Sequence, residues 1–195
     1  MNQQQLNKIL EQHELWITSD KSEGERANLM NADLPGTNLE HANLEKADLS
    51  GANLASAHFY GANLLGADLT GADLMNASFY RASFYRANLY NANLTGANLT
   101  YAHLKGADLK GADLRDANLT GANLTDADLR TANLRTANLR NANLTGAKID
   151  HNIRDCYHFI HARFSPDALP WLILHPRWAE DKHTVKIVSE SEESA

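Results

Sequence analysis

The chain has 195 residues, a formal net charge of −6 and a single cysteine. That length allows one domain with a sizeable interior, the mild acidity excludes a general affinity for nucleic acid, and one cysteine excludes an intrachain disulfide and fits a reducing compartment. No apolar stretch approaches the roughly 20 residues of a membrane span and MNQQQLNKIL lacks a charged-then-apolar leader, so a cytoplasmic, membrane-free protein is expected.

Residues 1–25 read as an N-terminal helical cap and linker. Leu6, Ile9, Leu10, His13, Trp16 and Ile17 recur at helical spacing and form one apolar face. Residues 18–25, with Ser, Asp and Gly, read as the linker.

From Arg26 to Asp150 the chain divides into 25 five-residue units, RANLM to GAKID, without an insertion. The central residue, i, is Leu in 21 of them, Phe59, Phe79 and Phe84 in three, and Ile149 in the last. Position i−2 is Ala everywhere except Thr37, and i−1 is mostly Asn or Asp. A helix would rotate about 140° between successive Leu residues and spread them around the whole cylinder. In an extended segment, i−2 and i share one side and i−1 points to the other. Residues i+1 and i+2 then turn the chain, which suits the frequent Gly at i+2. Repeated with a constant inward face, this is an all-β solenoid filled by Ala and Leu.

The Asp residues indicate the size of one coil. Asp33, Asp48, Asp68, Asp73, Asp108, Asp113 and Asp128, the Asp residues at i−1, fall in two adjacent phases of a four-unit cycle. A three-unit cycle would scatter them. Four faces and a 20-residue coil follow as the expectation.

ADLSGANL at 47–54 and GADLKGADL at 106–114 resemble the A(D/N)LXX motif of the pentapeptide repeat family. The resemblance covers residues 26–150 and implies a right-handed quadrilateral parallel β-helix of about six coils and roughly 30 Å. The two ends also resemble those of cyanobacterial members of the family.

NASFYRASFYRANLY, residues 76–90, replaces Leu with Phe and sets Tyr beside it. Tyr60, Tyr80, Tyr85 and Tyr90 fall at i+1, Arg81, Arg86 and Tyr101 at i+2. These seven form the candidate partner surface, because Tyr and Arg are typical interface anchors. A stack of Tyr rings on a strand surface needs no partner, and that is the competing structural reading. Further on, Lys110 stacks with Arg130, Arg115 with Arg135, and Arg140 follows on a third face, where they would neutralise the Asp residues of those faces.

Residues 151–195 read as a C-terminal capping segment, partly helical near Ser165 and Pro166, that ends in a disordered acidic SESEESA. Trp171, Trp178 and the prolines 166, 170 and 176 set it apart, and its surplus apolar surface marks it for a homodimer contact. Cys156, His158 and His161, with His151 and His175 nearby, are metal-ligating residue types. Their CxHxxH spacing departs from the paired spacings of structural zinc sites, so no metal or other cofactor is expected. No GxxxxGK[ST], GxSxG or HExxH occurs, and a rod packed with Leu and Ala offers no cleft of ligand size.

The leading functional expectation is a noncatalytic structural or interaction module for an unidentified protein partner. The alternative, implied by the family resemblance, is a DNA-mimicking modulator of gyrase. The repeat block opposes 11 basic residues to 12 acidic ones, which argues against both nucleic-acid binding and a strong anionic field.

Overall fold

Each five-residue unit is one extended step followed by one turn. The Ala52 N–H donates back to the Leu49 carbonyl at 3.1 Å, and the same bond recurs down the rod. Of the four turn residues, the third has positive φ, as at Gly36 (64°) and Tyr101 (56°). That is the signature of a type II turn. Leu34-Pro35-Gly36-Thr37 has the residues such a turn prefers, with Pro at the second position and Gly at the third.

The computed structural model describes residues 1–151, 153, 156, 158–173 and 185–188. Every i−1 residue from Asn28 to Asp128 forms a parallel bridge to the residue 20 further on, Asn28 to Asp48 and Asp128 to Lys148. The coil is therefore 20 residues and four units long, as the Asp phases indicate. The faces are numbered here from the columns that begin at Leu29, Leu34, Leu39 and Leu44.

The backbone donors of a unit can be followed one by one. The Leu49 N–H donates to the Asp68 carbonyl at 2.7 Å, Gly51 to Thr70 at 2.8 Å, and Asp68 returns to Ala47 at 3.0 Å. With the turn bond, these satisfy every N–H except that of i+1. The i−1 side chain takes that one: Ser50 N–H donates to Asp48 Oδ1 at 3.0 Å and Thr100 N–H to Asn98 Oδ1 at 3.1 Å. Asn and Asp recur at i−1 because an Asx oxygen reaches the backbone two residues on. Inside, the Ala and Leu columns are buried along the rod. Thr37, the one polar residue at i−2, donates its hydroxyl to the Leu34 carbonyl at 2.7 Å.

Helix α1, Gln3–Thr18, starts with a capping box between Asn2 and Gln5. It supplies by side chain what a preceding coil would supply by backbone. Leu6 is fully buried against the first coil, with Ile9 and Leu10 beside it. Ala27 has no earlier unit whose carbonyl could accept its N–H, and His13 Nδ1 accepts it at 3.1 Å. Glu14 Oε2 accepts from Asn43 Nδ2 at 3.1 Å, where lower down Asn43 Oδ1 accepts from Asn63. The N-terminal ammonium donates to the Asp33 carbonyl at 3.4 Å.

That arrangement makes the docking of α1 depend on pH. Burial lowers the His13 pKa below its ordinary 6.5; the Glu14 and Glu45 charges pull it up and Arg26 pushes it down, and burial is the largest of these. Only the neutral ring accepts from Ala27. The undocked helix therefore takes up the proton first, so docking is complete above pH 6.5 and weakens below it, by up to about tenfold per unit, until the docked pKa is passed. Trp16 stacks on His13 at 5.6 Å and reports the change. Acidification from about pH 7.5 to about pH 5 is expected to shift Trp16 fluorescence in a chain whose other tryptophans are replaced by Phe, and His13→Gln is expected to abolish the shift.

At the other end the ladder runs past Asp150 on two faces. Asn138 bridges to His158, and strand β1 (Asn143–Leu144) pairs in parallel with β2 (Arg163–Phe164), which pairs with β3 (Lys186–Ile187). Phe159 and Phe164 occupy the next i positions of faces three and four, fully buried. A 3-10 turn, Pro166–Ala168, leads into the short helix α2, Leu169–Leu172, whose Leu172 is buried. His175, Pro176, Trp178 and residues 189–195 lie outside the described residues. Among the described residues, no helix is long and apolar enough to cross a membrane.

Candidate partner surface

The turns place i+1 and i+2 along the four edges of the rod, and the seven candidate residues divide among three of those edges. Tyr60, Tyr80, Arg81 and Tyr101 share the edge between faces three and four. Tyr60 stacks on Tyr80 at 5.8 Å, and Tyr80 meets Tyr101 edge to face at 6.0 Å. His41 extends the row against Tyr60 at 4.9 Å. The Arg81 guanidinium lies over the Tyr80 ring at 5.2 Å. Gly121, one coil below Tyr101, leaves space for the ring: a Cβ there would lie 2.4 Å from Tyr101 Cε1.

Tyr85 and Arg86 turn onto the next edge and pair with each other at 5.1 Å. Tyr90 lies half a coil from Tyr80, on the opposite edge, where Lys110 covers it at 5.9 Å. Tyr60, Tyr90 and Tyr101 are exposed, whereas Tyr80 and Tyr85 are partly covered by their neighbours. Beneath the Tyr row, Phe59 and Phe79 stack at 4.7 Å and Phe84 meets Phe79 at 4.9 Å.

Charge is divided by face. The Asp residues at i−1 all lie on faces one and two, and faces three and four carry Asn, Ser and His at i−1 down to His158. Lower down, the acids are paired within their own unit, Asp108 with Lys110 at 3.1 Å, Asp113 with Arg115 at 2.7 Å and Asp128 with Arg130 at 2.6 Å. The Arg hydrogen bonds hold Asp113 and Asp128 below the usual carboxylate range. Their cationic ends lie in solvent, so each pair adds little to stability. The neutralisation runs within the unit, from i+1 to i−1, and Arg135 and Arg140 form no ion pair among the described residues.

The metal-ligating residue types near the C-terminus diverge. Cys156 is buried, His158 occupies an i−1 position on face three, and His161 sits at a turn with φ of 58°. Among the described residues, no group of three such side chains is placed to hold an ion. The rod itself is filled, but a cleft of about 810 Å³ opens beside α1, lined by Met1, Gln5, Lys8, Ile9, Arg26 and Asn28 among others. The expectation of no ligand-sized cleft, made for the packed rod, does not extend to its upper end, where a helix meets a flat coil.

A family model described as pentapeptide repeats matches residues 25–59, 47–91, 77–116 and 117–151, which together cover 25–151. No curated protein matches the chain. Among solved structures, the chain is similar to HetL, a pentapeptide repeat protein involved in heterocyst differentiation regulation from the cyanobacterium Nostoc sp. strain PCC 7120, at 26% identity, 75% of this chain, 93% of that one and a TM-score of 0.40. It is similar to Rfr23 from the cyanobacterium Cyanothece 51142 at 29% identity, 65% and 86% coverage and a TM-score of 0.25. It is also similar to QnrB1, a plasmid-mediated fluoroquinolone resistance protein, at 17% identity, 84% and 95% coverage and a TM-score of 0.40. By its unbroken run of matched units, the chain belongs to the pentapeptide repeat family, whose members fold as right-handed quadrilateral β-helices.

Proposed function

We propose that the protein is a noncatalytic interaction rod that docks a protein partner along the edge between faces three and four, with α1 and the C-terminal segment closing its ends. The observation that carries this reading is the continuous row of Tyr60, Tyr80 and Tyr101 with Arg81 stacked on it. It lies on the side of the rod that has no Asp at i−1. Tyr rings provide large contact areas at low entropic cost, Arg is enriched among interface anchors, and a straight edge offers both in register.

The test is affinity capture from the native organism with the full-length chain as bait. Tyr80→Ser with Tyr101→Ser is expected to abolish capture of the partner at unchanged fold. Tyr90→Ser, on the opposite edge, is expected to leave capture intact. Equal capture by all three chains would move the surface elsewhere. DNA mimicry of the gyrase substrate fits less well, because the lower Asp residues of the acidic side are neutralised by Lys110, Arg115 and Arg130. Gyrase supercoiling is accordingly expected to proceed unchanged at high protein concentration.

A further inference from the structure

Above the last unit, which has Lys148, four units depart from Asn or Asp at i−1: those of His58, Ser78, Ser83 and His103. They are neighbours. Parallel bridges join His58 to Ser78 and Ser83 to His103, and the Ser78 and Ser83 units are consecutive along the chain. Together they form a staggered group over three coils, His58 and Ser78 on face three and Ser83 and His103 on face four, astride the edge of the proposed docking surface.

The replacement has a backbone consequence. Elsewhere an Asx oxygen accepts the i+1 N–H, as Asn98 does for Thr100 and Asn88 for Tyr90. A Ser hydroxyl makes such a bond only weakly, and none of Ser78, Ser83, His58 and His103 makes it here. The N–H groups of Tyr60, Tyr80, Tyr85 and Lys105 therefore have no acceptor among the described residues. Arg81 and Arg86 stand beside them, each stacked on a Tyr ring and with no carboxylate partner among the described residues. Lys105 has a loose contact with Asp126 at 3.9 Å.

We propose that this group binds the carboxylate side chains of an extended acidic segment in the partner protein. Each partner carboxylate takes the place that the Asx oxygen holds in other units, accepts an i+1 N–H, and is drawn in by Arg81 and Arg86. Charge-assisted bonds of this kind are among the stronger ones. The Asp residues of faces one and two keep the segment on this side. A nucleic acid strand suits the group less well, since its charges would extend past these few cations to the acidic faces. The inference rests on the docking edge proposed above.

Net charge makes the test specific, because a chain of net charge −6 has no general attraction for an anion. Fluorescence anisotropy of the full-length chain would compare a labelled peptide of alternating Glu and Ser with its Gln and Ser counterpart. The Glu peptide is expected to bind and the Gln peptide not. Ser78→Asn with Ser83→Asn restores the Asx oxygens. It is expected to weaken Glu-peptide binding by about tenfold while raising thermal stability, and a purely structural role for these serines would raise stability alone. Equal binding of the two peptides, unchanged affinity in the Asn variant, or tighter binding of a single-stranded oligonucleotide would each overturn the proposal. Loss of Glu-peptide binding together with continued Tyr80- and Tyr101-dependent capture would leave the docking edge standing and remove only the carboxylate chemistry.

Discussion

Phe79→Ala is expected to lower the stability of the rod by about 3–5 kcal/mol, the range for deleting a buried aromatic side chain. The upper part of that range is expected here, because the site has little means of collapsing. Phe79 is fully buried and contacts Phe59 at 4.7 Å in the coil above and Phe84 at 4.9 Å on the next face. Its own backbone is held by the bond from its N–H to the Asn98 carbonyl at 2.7 Å. Closing the cavity would require coils to move together, and the hydrogen-bond ladder opposes that. Stability in a solenoid is close to a sum over neighbouring repeats, so a weak coil in the middle loosens the coupling between the two halves. Urea denaturation should show a lower midpoint and a broadened transition. Phe79→Leu, which installs the residue found at most i positions and removes less volume, is expected to cost less than Phe79→Ala. A loss below about 1 kcal/mol for Phe79→Ala would mean that the interior repacks freely.

The fold was legible because one spacing carries it. Ala at i−2 and Leu at i can share a side only in extended geometry, and the Asp phases close the coil at four units, which the bridges from Asn28 to Asp48 onward reproduce. The continuation past Asp150 was harder to read. Arg154 interrupts the run of apolar i residues, although the count of five from Ile149 leads on to Phe159 and Phe164. The candidate surface was legible only in part. Their i+1 and i+2 positions place Tyr and Arg on the outside of the rod, but grouping them requires assigning every turn to an edge, and that separates Tyr90 from Tyr80 by half a coil. The His13 contact with Ala27 has no signal in the sequence, because it depends on where a helix lies across the open end of the ladder. The uncapped N–H groups were in principle readable: once an Asx oxygen is known to serve the i+1 donor, His58, Ser78, Ser83 and His103 mark the units that lack one.

Position along the rod decides how a defect spreads, and Leu6→Asp is expected to act in the opposite way to Phe79→Ala. Leu6 is the fully buried apolar residue of α1, with Ile9 and Leu10 only partly covered. The substitution removes the burial of one Leu side chain, about 1.5–3 kcal/mol, and places a carboxyl in an apolar site that cannot pair it, which costs more again. The remaining attachments are few: the His13 bond to Ala27, Glu14 to Asn43 and the terminal ammonium to Asp33. They do not offset a loss of that size, so α1 detaches. A free 16-residue helix is marginal in water, so it melts once released, and the helical circular dichroism that α1 contributes goes with it. The coils below lose only one neighbour. Their main unfolding transition is expected to shift far less than in Phe79→Ala, while the newly open first coil presents unpaired backbone that favours end-to-end association at high concentration. Retention of the helical signal in Leu6→Asp would show that α1 is held by its polar contacts rather than by the burial of this one side chain.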